Sequence, residues 1–141
     1  MVVNINEIIA GLIVAFLYGV GTFFAKIVSE KDPFLQWIIV NIVGIVLCVV
    51  IILKDPQKIY QLHGKILLYG VISAVMVVVG SLLLYYALHK GRASIVVPLS
   101  SIGPAITTIL AVVFLKEHLS HFQIFGIVLI IVGIILISLN N

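Results

Sequence analysis

Tyr18, Thr22 and Lys26 recur at four-residue spacing in an otherwise apolar stretch. On a helix they share one face, which would carry a phenol, a hydroxyl and an ammonium. Such a stripe can hydrogen-bond a solute, and Lys26 would bias it towards anionic groups. A buried tyrosine hydroxyl needs a partner, so Tyr18 is a candidate for the wall of a cavity. A second set is Ser94, Ser101 and Thr108, spaced by seven, with Ser100 and Thr107 beside them. The same stretch holds Pro98 and Pro104, each of which removes a backbone donor and disturbs a helix. In lipid the freed carbonyls must bond to hydroxyls, water or a ligand, and broken helices near the bilayer midplane recur at transport sites. The alternative is a kinked packing helix whose hydroxyls bond back to its own carbonyls. Asn41, one turn beyond Trp37, adds an amide within an apolar run. Trp37 itself reads as an interfacial residue.

Other chemistry is missing. Glu7, Glu30, Asp32, Asp55 and Glu117 sit at the ends of apolar runs or between them. His118 and His121 form an H-x-x-H pair without further ligands, so no metal site is expected. Cys48 is the single cysteine and reads as a small packing residue. No serine has a histidine and an acid in helical register, and no phosphate-cradling glycine loop is present. The expectation is no enzyme, no cofactor and no nucleic-acid partner, because the basic residues form no patch.

The elements that position these residues follow from composition. The chain of 141 residues is 63% hydrophobic and 9% charged, with a mean hydropathy of +1.37. A soluble domain of this length could not hide so much apolar surface. Uncharged runs near the ~20 residues a bilayer core demands are Ile8–Ala25, Pro33–Leu53, Ile66–Leu88, Ala93–Leu115 and Phe122–Asn141. They predict an all-α integral membrane fold with spans at about 5–28, 33–53, 65–89, 93–115 and 120–139 in a single domain over 1–141. The first run lacks the basic flank and cleavage site of a signal peptide. Connections are short, so neighbouring helices form antiparallel hairpins. Asp32-Pro33 reads as an N-cap followed by proline at the first helical position, and Ser120 with Gln123 reads as a capping box.

Small residues point to helix packing. Gly11, Ala15 and Gly19 lie on one face of the first span, and Gly126 and Gly133 on one face of the fifth. An odd number of spans places the termini on opposite sides of the bilayer. Lys54, Lys58, Lys65 and Lys116 then lie on one side, and Lys26, Lys31, Lys90 and Arg92 on the other. Four basic residues against four leave the positive-inside rule without a preference. That balance is compatible with a dimer whose two copies insert in opposite orientations.

The stretch from Tyr86-Ala-Leu-His-Lys-Gly-Arg-Ala-Ser to Pro98-Leu-Ser-Ser-Ile-Gly-Pro104, the hairpin Leu115-Lys-Glu-His-Leu-Ser-His-Phe-Gln123-Ile-Phe-Gly126, and the closing Ile131-Val-Gly133 resemble the EamA domain of the drug/metabolite transporter superfamily. Tyr18-Gly-Val-Gly-Thr-Phe-Phe-Ala-Lys26 resembles that domain's first helix. The likeness covers essentially the whole chain. Typical relatives carry two such domains, ten helices in all, as inverted repeats around a central cavity. One domain alone is similar to the five-helix bacterial and archaeal type. The resemblance implies a multi-pass protein of the inner cell membrane that moves a small metabolite or amphiphilic solute by alternating access. It implies that the first four spans line the cavity and that the fifth helps to pair two halves. The partner would be a second copy or another five-helix protein. One alternative within transport is a lipid-carrier flippase subunit, and a reading of a different class is a non-transporting membrane subunit of a larger complex.

Overall fold

The computed structural model describes residues 5–139. It contains α1 (Ile5–Ser29), α2 (Pro33–Lys54), α3 (Gln57–Tyr60), α4 (Gly64–Lys90), α5 (Ala93–Ser100), α6 (Gly103–Leu115) and α7 (His121–Ser138). Five segments are long and apolar enough to cross a membrane: α1, α2, α4, α5 with α6 taken together, and α7. Nearly all large apolar side chains are exposed to the surroundings, Phe16 at 69% and Leu53 at 75% among them. In water this would be untenable. In lipid it is the ordinary state of a spanning helix, because hydrocarbon solvates such side chains.

The chain divides into two compact units, with the division after Lys90. In the first, α1, α2 and α4 pack against one another, and the four-residue α3 bridges α2 and α4. Asp32 starts α2: its carboxylate accepts from the backbone N–H of Phe34 at 2.8 Å and of Leu35 at 3.4 Å, with Pro33 at the first turn. α4 begins at Gly64, whose φ of +57° is a left-handed conformation that suits glycine. The buried residues of this unit gather at one end. Ala25 and Ser29 of α1, Pro33 and Gln36 of α2, and Leu88 of α4 all lie there. Thus α1 and α4 end, and α2 begins, at a common packed end. The other end, from α1's start to α4's start, has no buried residue among the described residues.

In the second unit, α7 packs on α5 and on α6. The fourth span is therefore two helices rather than one. Ser101 and Ile102 interrupt it, with Pro98 inside α5 and Pro104 in the first turn of α6. Proline has no N–H for the carbonyl four residues before it, so Pro104 deprives Ser100 and Pro98 deprives Ser94. Lys116 closes α6 in a left-handed conformation, φ 57°, and donates its N–H to the Ala111 carbonyl. The capping box at α7 is complete. Gln123 N–H donates to Ser120 Oγ at 3.3 Å, and Ser120 N–H donates to Gln123 Oε1 at 2.8 Å.

Candidate functional site

α1, α2 and α4 line an open cavity of about 800 Å³, within the usual range for small-molecule sites. Each helix contributes one face at helical spacing: Leu17, Tyr18, Gly21, Thr22 and Ala25 from α1; Gln36, Val40, Asn41, Gly44, Ile45, Cys48 and Val49 from α2; Val77, Val78, Ser81, Leu84 and Tyr85 from α4. None of these is charged. Tyr18, Thr22 and Asn41, singled out from spacing, line it together. Cys48, taken as a packing residue, is exposed on its wall.

Several polar groups are partly spent on their own helices. Thr22 Oγ1 donates to the Tyr18 carbonyl at 2.6 Å. Asn41 Nδ2 donates to the Trp37 carbonyl at 2.7 Å. Ser81 Oγ donates to the Val78 carbonyl at 2.8 Å. The same Val78 carbonyl accepts the indole N–H of Trp37 at 3.2 Å. Trp37 therefore ties α2 to α4, a use that its place near a helix end did not suggest.

Lys26 lies one turn beyond Thr22, at the packed end. Its ammonium donates to the Leu88 carbonyl of α4 at 2.7 Å and stands 3.2 Å from Glu30. His89 of α4 answers with a bond in the opposite sense, its Nδ1 being 2.8 Å from the Ser29 carbonyl of α1. A carbonyl only accepts, so Nδ1 carries the proton in this contact. Two helix C-termini, each the negative end of a dipole, thus stand side by side, and each receives a basic side chain from the other. The stripe Tyr18, Thr22 and Lys26 on α1 has a twin on α4: Ser81, Tyr85 and His89, also four apart. In both, the first two members face the cavity and the third bonds across to the neighbouring helix.

Gln36, Ser81 and Tyr85 are the cavity residues that spacing on single spans did not mark as a site. Gln36 is buried, and the Tyr85 phenol lies against its amide. The available signal was the four-residue repeat on α4, with the same polar-to-basic order as the repeat on α1.

In the second unit the candidate residues sit at the helix break. Ser100 Oγ and Ser101 Oγ donate to the Val97 carbonyl at 2.7 and 3.0 Å, and Thr108 Oγ1 donates to the Pro104 carbonyl at 2.8 Å. These are the back-bonds of the kinked-helix alternative. Thr107 and Ser100 are exposed. An added Cβ at Gly11, Gly19, Gly126 or Gly133 would meet no atom within 4 Å. Of these, Gly11 and Gly19, with Ala15 on the same part of α1, are exposed. Among the described residues no group of three or more His, Cys, Asp and Glu side chains could hold a metal ion.

Comparison with known proteins agrees with this architecture. An uncharacterised protein of Methanocaldococcus jannaschii is 67% identical over 136 residues, covering 96% of this chain and 98% of the relative. No solved structure matches. The model of the EamA-like transporter family matches residues 5–139, across both units and all five spans, and the chain belongs to that family.

Proposed function

We propose that this protein carries a small metabolite or amphiphilic solute across the inner cell membrane by alternating access, working as a homodimer. The observation that carries the reading is the cavity of the first unit. It lies among membrane-spanning helices, is lined by uncharged polar and apolar side chains, and has a cross-bonded end beyond Thr22 and Tyr85. Polar side chains within a bilayer serve a bundle interior or a wet cavity. One closed end and one looser end are what a state of an alternating-access cycle requires.

The solute pathway comprises Tyr18, Thr22 and Asn41, joined by Gln36, Ser81 and Tyr85. Ser100, Ser101, Thr107 and Thr108, with the break made by Pro98 and Pro104, supply a second polar region in the fourth span. Lys26 holds the end of the pathway rather than drawing an anion into it, since its charge already faces Glu30. A second copy completes the wall, with Gly11, Ala15, Gly19, Gly126 and Gly133 as close-approach points for its helices. The even distribution of basic residues is compatible with copies in opposite orientations.

Uptake into vesicles reconstituted with the purified chain tests the reading. Saturable uptake above that of protein-free vesicles is expected. A dimer that binds and moves no solute would favour a subunit of a larger complex. A reporter on the C-terminus should be found on both sides of the membrane. Its confinement to one side in every molecule would exclude opposite insertion.

A further inference from the structure

The cavity is more polar in one half than in the other. Towards the cross-bonded end it presents Thr22, Gln36, Asn41 and Tyr85. Away from that end the lining becomes mainly apolar, with Leu17, Ile45, Val49 and Val77, and with Tyr18 and Cys48 among them. The polar half has a definite hydrogen-bonding character. Thr22, Asn41 and Ser81 have each given a side-chain donor to a carbonyl of their own helix. What they still offer inward is the lone pairs of the Thr22 and Ser81 hydroxyls and of the Asn41 amide oxygen, with the second Asn41 N–H left as a donor and the Tyr18 phenol and Gln36 amide on the same lining. A hydroxyl head, which both donates and accepts, is matched there. An anionic head brings only acceptors and meets no cation, because no charged side chain lines the cavity. A cationic head would lose its water with no carboxylate to receive it.

We infer that the solute is an uncharged amphiphile, with a hydroxyl-bearing head seated between Thr22, Asn41 and Ser81 and an apolar body along Ile45, Val49 and Val77. This inference rests on the transport reading and narrows its solute class. It also gives Cys48 a use as a reporter. It is the single cysteine of the chain, and it lies where the apolar body would cover it.

The test uses the full chain in lipid nanodiscs and three probes with the same eight-carbon tail: octyl glucoside, octyl phosphate and octyltrimethylammonium, all below their micellar concentrations. The rate of Cys48 modification by N-ethylmaleimide is followed, and binding of tritiated octyl glucoside is measured at equilibrium. Octyl glucoside should slow modification saturably, and the two charged probes should need at least about tenfold higher concentration for the same effect. The double substitution Thr22→Val with Asn41→Leu removes two acceptors and should weaken octyl glucoside about tenfold, while helicity and dimer size are checked to be unchanged. Equal or better protection by either charged probe overturns the inference, as does unaltered affinity in a folded double variant. Protection and binding without flux in vesicles would leave the solute class standing and remove the transport reading. Flux of octyl glucoside with neither protection of Cys48 nor loss in the double variant would do the opposite.

Discussion

The two ends of the first unit are built from the same three helices and held in different ways. At one end, Lys26 and His89 cross-bond the last carbonyls of α4 and α1, and Ser29, Leu88, Ala25 and Gln36 are buried. At the other, α1, α2 and α4 present apolar side chains outward, and none of their described residues is buried. Lipid is as apolar as leucine, so burying leucine does not drive spanning helices together. Association needs hydrogen bonds, ion–dipole contacts or close backbone approach. The packed end has the first two. At the exposed end no close approach holds Gly11, where an added Cβ would meet no atom within 4 Å.

Breaking the comparison should therefore cost most at Lys26. Lys26→Met removes a charge-assisted bond to the Leu88 carbonyl and the compensation of two helix C-termini, with an expected loss of about 2 kcal/mol. The contact with the exposed Glu30 adds little to that. Thermal unfolding in detergent measures it, and vesicle uptake should fall with it. Loss of stability below about 0.5 kcal/mol would show that the cross-bond is idle. His89→Leu should cost about 1 kcal/mol, the worth of one hydrogen bond. Asp32→Ala, which strips the α2 cap at the same end, should cost about 1 kcal/mol. Ser29→Ala sharpens the picture in the other direction. The Ser29 hydroxyl is buried without a hydrogen-bond partner, while the bond from His89 uses the backbone carbonyl. Its removal should be neutral or stabilising by up to about 1 kcal/mol. At the exposed end, Gly11→Ala should leave the stability of the single chain within about 0.5 kcal/mol. A clear loss of dimer on gel filtration with that variant would identify the face as a protein contact.

Much of this was legible in the residues. Run length and apolarity mark five helical spans, since only helices and closed barrels satisfy the backbone in lipid and runs this long suit helices. The Asp32 cap and the Ser120 capping box follow from local chemistry, because each bond lies within three residues. Pro98 and Pro104 announce a disturbed fourth span, and the structure places the interruption at Ser101–Ile102. Half of the polar lining of the cavity was visible for the same reason: Tyr18, Thr22 and Asn41 are polar groups at depth, and they line one cavity. Long-range pairing was not visible. Nothing local says that Lys26 reaches a carbonyl 62 residues away, or that Trp37 reaches one 41 away, since spacing on one helix does not give its rotation against another. Gln36 and Tyr85 were obscured by their nearness to helix ends, where polar residues need no special cause. The twin stripes on α1 and α4 show that comparing polar spacing between spans carries more than reading each span alone.

The central claim is that the cavity between α1, α2 and α4 is the path of the solute. Cys48 lies on its wall and is the single cysteine, so the unaltered protein can test it. Reconstituted vesicles are treated with N-ethylmaleimide until Cys48 is fully modified, and uptake of radiolabelled octyl glucoside is then measured. Modification should abolish most of the uptake, and excess unlabelled octyl glucoside during the treatment should preserve it. Uptake that is unchanged after complete modification of Cys48 would contradict the claim.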